Sequence, residues 1–268
     1  MSPRERPRVA LVCHEADRID AEGLAAWLAT SLRLVGVVAI REGPGQIVRR
    51  VRREIRRVGL LRCLDVAAFR LYYRVCLARA DTAWIAEEVA RLRARYPMSP
   101  RGVPRLVAPN PNAPEVRDFL RGLDPDLVIA RCKFILRPDI FTIARAGTWV
   151  LHPGICPEYR NAHGCFWALV NRDLDRVGMT LLRVDEGVDT GPIFLQASYK
   201  FDDLRESHVV IQYRVVLENL SAIEATLLAA WTRAARPIPT DGRRSAVWGQ
   251  PWLSAYLRWK RAARQAAR

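Results

Sequence analysis

Short apolar runs bounded by polar or turn-forming residues recur along the chain: VALVC (9–13), LVGVVAI (34–40), a weaker PRLVAP (104–109), DLVIAR (126–131) and TWVLH (148–152). Runs that are apolar throughout, rather than at alternate positions, predict strands covered on both faces, as in a parallel sheet. Between them lie stretches with apolar residues at helical spacing: 20–32, with Asp20 as a candidate N-cap, 113–123, and a short helix in 137–147 that stops at Gly147. GMTLLRV (178–184) and PIFLQASYKF (192–201) read as late strands, and 206–235 as one long helix. This alternation predicts an α/β fold: a Rossmann-like three-layer sandwich with a mostly parallel central sheet.

Residues 45–97 interrupt the alternation and read as a helical insertion of two or three helices. Ile47, Val48, Val51, Ile55 and Val58 keep to one face there, while Arg49, Arg50, Arg52, Arg53, Arg56 and Arg57 take the rest. The segment 245–268 is amphipathic and basic. Trp248, Trp252, Leu253, Tyr256 and Leu257 are expected to pack on the domain and the last ten residues to fray. The expected organisation is an α/β domain over 1–204 carrying the insertion, with 205–268 packed on it as a C-terminal helix and basic tail.

Composition narrows the classes. Half of the 268 residues are hydrophobic, enough for a sizeable core and against global disorder. No apolar run reaches the roughly 18 residues of a transmembrane helix. The first strand begins at Val9, which leaves no room for a signal peptide, so the expected compartment is the cytoplasm. The six cysteines form no C-x-x-C pair and read mainly as small buried apolar residues, and no metal-ligand cluster stands out. The net charge of +15, from 43 Lys and Arg against 28 Asp and Glu, brings nucleic acid, an anionic membrane or an acidic partner into view beside a plain arginine bias. The nucleic-acid reading would fall on Arg49 to Arg57.

Two segments carry the chemistry. Open α/β sheets bind ligands beyond the carboxyl ends of their strands. His152 stands at such an end, and Pro153 after it blocks continuation of the strand. VDEGVDTGP (184–192) places Asp185, Glu186 and Asp189 in a glycine-bracketed turn after another strand. A carboxylate on a tight turn facing a rim histidine is an acid/base pair that raises the imidazole pKa and orients it.

Together, HPGICPEYRNAHGCFWAL (152–169) and GMTLLRVDEGVDTGP (178–192) resemble the folate-dependent formyltransferases, which include the glycinamide ribonucleotide, methionyl-tRNA and sugar-nucleotide enzymes and formyltetrahydrofolate deformylase. The family pattern is Asn-x-His-Pro-Ser/Gly, a Pro-x-Tyr/Trp-Arg-Gly loop, Gly-x-Thr and Asp-x-Gly-x-Asp-x-Gly. The resemblance implies 10-formyltetrahydrofolate as formyl donor and an amine as acceptor, attack on the formyl carbon giving a tetrahedral oxyanion. It implies that His152 stabilises that oxyanion and helps move its proton, and that Asp189 sets the charge of the histidine. The turn with Asp185, Gly187 and Val188 would wrap the pterin, largely through backbone groups. Phe134, Ile135 and Leu136 would form the other wall, and Pro157, Tyr159 and Arg160 would position the amine.

One position departs from the pattern. The family asparagine, two residues before the histidine, is Val150 here. Losing one oxyanion donor lowers a rate by about 10²–10³. Asn161 and His163 are the candidate replacements, against the alternative that both scaffold the helix beginning near Gly164. A second departure is HEADRIDAEG (14–23), whose carboxylates disfavour a ribose phosphate at a helix N-terminus. After Leu204 the chain reads as helix and tail rather than a five-stranded barrel, which argues against a standard methionyl-tRNA formyltransferase. Three readings follow: an N-formyltransferase acting on an amine of a small molecule such as an amino sugar, a formyltetrahydrofolate deformylase, or a catalytically inactive binding protein that works through its basic insertion.

Overall fold

The computed structural model of the protein describes residues 6–43, 45, 55 and 59–268. Nine strands occur among them: β1 (Arg8–His14), β2 (Arg33–Ile40), β3 (Arg105–Ala108), β4 (Leu127–Arg131), β5 (Thr148–His152), β6 (Arg160–Asn161), β7 (Met179–Arg183), β8 (Ile193–Ala197) and β9 (Val247–Trp248). Seven form one sheet in the order β3-β2-β1-β4-β5-β7-β8, and β6 and β9 pair separately. Pairing is parallel from β3 through β5 and antiparallel for β5–β7 and β7–β8.

Alternation along each strand splits the core into two layers, as a side-chain period of two requires. Val9, Leu11 and Cys13 of β1, Leu127 and Ile129 of β4, and Trp149 and Leu151 of β5 face one side, with the helices Ala25–Ser31, Gly164–Val170 and Leu253–Ala266. Ala10, Val12, Val128, Ala130 and Val150 face the other, with Val116 and Leu120 of the helix Pro114–Leu123. Both faces of the central strands are therefore covered, which is why they read as unbroken apolar runs. The chain order reverses at β1: β2 lies on one side of it and β4 on the other. Such a switch point opens a crevice beyond the carboxyl ends of β1 and β4.

Between β2 and β3 the described residues hold the helix Leu60–Tyr72, a wide turn Tyr73–Leu77 and the helix Ala78–Arg95. Phe69 packs its ring 5.9 Å from Phe166 and 5.3 Å from Tyr256, which fixes the insertion to the body and to the C-terminal helix. The six arginines of 49–57 lie outside the described residues.

Several expectations need correction. Asp20 is no cap: it is buried, and the cap to the first turn is Asp17, whose Oδ1 accepts the Asp20 N–H at 3.2 Å. The helix expected over 206–235 is two, His208–Leu217 and Leu220–Trp231. Asn219 stands in the break, its amide donating to the carbonyls of Val215 (2.9 Å) and Ser198 (3.1 Å), a side-chain competition that ends the first helix. The last helix persists to Ala266 because Tyr256, Trp259 and Ala263 form a buried stripe, while Leu257 faces solvent.

Candidate active site

His152 ends β5 on the face that Val150 shares, and it is buried. Its Nε2 lies 2.7 Å from the carbonyl oxygen of Tyr159. A carbonyl only accepts, so Nε2 carries a proton and Nδ1 is the nitrogen that titrates. Nδ1 faces Oδ2 of Asp189 at 3.6 Å, longer than a direct hydrogen bond. Burial by itself would lower the imidazole pKa. The Asp189 carboxylate and contacts with Cys156 and the Tyr159 carbonyl outweigh it and push the pKa up to about 10, so the ring is an imidazolium at neutral pH.

The loop after His152 is built to hold that geometry. Thr180, fully buried on β7, donates to the Gly154 carbonyl (2.7 Å) and accepts the Cys156 N–H (3.0 Å). A Cβ on Gly154 would lie 2.7 Å from both His152 Nε2 and the Tyr159 oxygen, so a glycine leaves their bond its space. Neither position was assigned a role from sequence, although the Gly-x-Thr pattern was visible.

Asp189 is placed by its own backbone, at φ 51, and by Asn161, whose N–H donates to Oδ2 at 2.7 Å. Asn161 has φ 75, a left-handed conformation that asparagine tolerates and that glycine adopts freely. Its side-chain amide donates to the Trp248 carbonyl at 2.6 Å, which clasps β6 to β9. The amide is thus committed away from His152. His163, also left-handed at φ 57, precedes the helix Gly164–Val170 without a side-chain cap. Burial and the Lys133 charge lower its pKa to about 4, with Gln212 and Gln250 opposing, so the ring is neutral.

Asp185 closes its own turn, with Oδ1 accepting from the Gly187 N–H (3.0 Å) and the Thr190 hydroxyl (2.7 Å). The Val188 carbonyl accepts from Arg160 Nη1 at 3.1 Å. Of the apolar stretch after β4, Leu136 is buried, Phe134 is half-buried and Ile135 is 61% exposed. Val150 belongs to the apolar cluster that Phe134 joins and also to that of Cys156, Leu182 and Ile193. Tyr159 is buried, with its hydroxyl on Asp173 (3.0 Å) and its ring stacked on Trp248 at 5.6 Å. Pro157 accepts the Ala246 N–H on its carbonyl at 3.1 Å. Pro157, Tyr159 and Arg160 therefore each tie this loop to another segment.

At the switch point the Lys133 N–H donates to His14 Nε2 at 3.2 Å. Below it Arg131 and Asp20, both largely buried, form an ion pair at 3.1 Å, and Arg131 also donates to the Leu151 carbonyl. Asp17 accepts the Tyr213 hydroxyl at 2.8 Å. These pairings between distant segments had no signal in the sequence.

A doubly wound sheet with an imidazole and a carboxylate meeting at its carboxyl rim defines the class: an α/β protein with a candidate site at the strand ends. A sequence profile of the Formyl transferase family matches residues 78–226, more than half of the chain and inclusive of His152, Thr180 and Asp189. The chain belongs to that family. Among curated relatives it is 32% identical over 179 residues to a methionyl-tRNA formyltransferase of Sorangium cellulosum, covering 61% of this chain and 53% of the relative. It is 29% identical over 131 residues to that of Thermotoga neapolitana, covering 46% and 42%. The chain thus matches about half the length of these relatives. The solved structure of glycinamide ribonucleotide transformylase 1 from Symbiobacterium toebii has a TM-score of 0.53 at 16% identity, covering 93% of this chain and 96% of that one, a likeness of fold.

Proposed function

We propose that the chain is an N-formyltransferase that moves the formyl group of 10-formyltetrahydrofolate to an amine of a small molecule, an amino sugar or another metabolite. The observation that carries this reading is the His152–Asp189 pair with Nε2 locked on the Tyr159 carbonyl. The folate, when bound, supplies a formyl carbon open to attack by an amine. The His152 imidazolium offers its Nδ1 proton where negative charge develops on the formyl oxygen, in a site where a fixed donor is worth most. Asp189, near the same nitrogen, holds that proton until it moves toward the leaving nitrogen. With Val150 in place of the family asparagine, more of the oxyanion's stabilisation falls on this imidazolium.

The apolar rim of Phe134, Ile135 and Val150 suits the face of a pterin, and the polar backbone of the 185–189 turn suits its hydrogen-bonding edge. Incubation with 10-formyltetrahydrofolate and a panel of amines tests the reading through release of tetrahydrofolate. Amine-dependent release that His152→Ala abolishes supports it. Release without amine identifies hydrolysis instead, and no release with any amine overturns catalysis.

A further inference from the structure

The helix Leu60–Tyr72 is apolar on two opposite faces. Inward, Val66 and Phe69 are buried in the body. Outward, Leu60, Leu64 and Leu71 line one stripe at helical spacing, Val75 continues it into the wide turn, and Leu61 lies beside it. These five side chains are 66, 58, 64, 74 and 85% exposed in that order. The core contacts are made by the inward face alone, so folding gives no reason for large aliphatic residues on the other.

The rim of this stripe is cationic. Arg70 and Arg74 flank it and are exposed. The single carboxylate of the segment 60–77, Asp65, is taken by Ser254, accepting its N–H at 3.1 Å and its hydroxyl at 2.5 Å. Immediately upstream, QIVRRVRREIRRV (46–58) repeats the composition: six arginines and one glutamate, with aliphatic residues at helical spacing. A basic amphipathic segment with exposed leucines has the chemistry of a monotopic interfacial anchor.

We propose that the outward face of Leu60–Leu77 seats on an anionic lipid surface, its leucines entering the headgroup boundary and its arginines meeting lipid phosphates. RNA fits the face less well. Its bases stack on aromatic rings, and the aromatic residues of this segment, Phe69, Tyr72 and Tyr73, are turned inward to Phe166, Tyr256 and His208. A second copy also fits less well, because apposing two such faces brings like charges together with no free carboxylate between them.

The test is sedimentation of the full chain with phosphatidylcholine vesicles and with vesicles of equal parts phosphatidylcholine and phosphatidylglycerol. Binding to the anionic vesicles should exceed binding to the neutral ones at least about tenfold and weaken with salt. Leu61→Ser, Leu64→Ser and Leu71→Ser together should reduce it on the order of tenfold or more without moving the thermal unfolding midpoint, since none of the three lies in the core. Arg70→Gln with Arg74→Gln should erode the preference for anionic lipid. Wild-type protein that ignores the anionic vesicles, or a serine variant that binds as before, overturns the proposal. So does a dimer, seen by analytical ultracentrifugation, that the serine variant splits while vesicle binding is absent. No turnover enters this measurement, so its result is independent of the proposed formyl transfer.

Discussion

The Asp189 oxygen that faces His152 Nδ1 at 3.6 Å is the same Oδ2 that accepts the backbone N–H of Asn161 at 2.7 Å. One carboxylate oxygen thus couples the charge of the imidazole to the conformation of the loop that follows it.

That coupling sets a pH dependence. The His152 imidazole holds its proton to about pH 10 when folded, against about 6.5 for an ordinary histidine. The folded state binds this proton more tightly, so the stabilisation is whole below about pH 6.5, fades as pH rises and is gone above about pH 10. His152→Asn should flatten the fall in stability across that window in urea titrations at stepped pH. Asp189→Asn should move the basic limb of the kcat/KM profile to lower pH, because the carboxylate that raises the pKa is gone. An unmoved limb would remove Asp189 from this role.

Val150→Asn restores the family side chain two residues before His152. Turnover should rise by about tenfold or more, as expected for an added oxyanion donor. Stability should fall by about 1–3 kcal/mol, because the amide enters apolar surroundings with Leu182 and Ile193. Steady-state kinetics and a thermal melt separate the two effects.

At Asn161 the backbone, not the amide, reaches Asp189. Asn161→Gly keeps the left-handed conformation and the N–H and should retain most activity, losing only the clasp to Trp248. Asn161→Val opposes φ 75 with a β-branched side chain and should lower stability by about 1–2 kcal/mol and activity with it. Equal behaviour of the two variants would show that φ is not the constraint.

The Asp20–Arg131 pair should be revealed by breaking it. Arg131→Met leaves a buried carboxylate unpaired and should cost about 3–5 kcal/mol in chemical denaturation. Adding Asp20→Asn should recover part of that loss, a coupling that a double-mutant cycle measures directly.

The sheet was legible in the sequence because strands covered on both faces must be apolar throughout, as in VALVC and TWVLH. The place of His152 at a strand end was legible through Pro153, and the facing turn through the resemblance of the two segments. What escaped depends on contacts between distant residues. Asp20 looked like a cap because local spacing cannot show Arg131, and the amide of Asn161 looked available because nothing nearby announces Trp248. The persistence of the last helix did have a signal, in the spacing of Tyr256, Trp259 and Ala263, which outweighs the tendency of chain ends to fray.

The two-rung pairing of β6 with β9 joins positions as far apart as Asn161 and Trp248, 87 residues along the chain. The carbonyl that fixes His152 Nε2 belongs to Tyr159, whose ring lies on that same Trp248 at 5.6 Å. The tautomer of the imidazole is thus held in part by a residue of the C-terminal segment, outside the strand that carries the histidine.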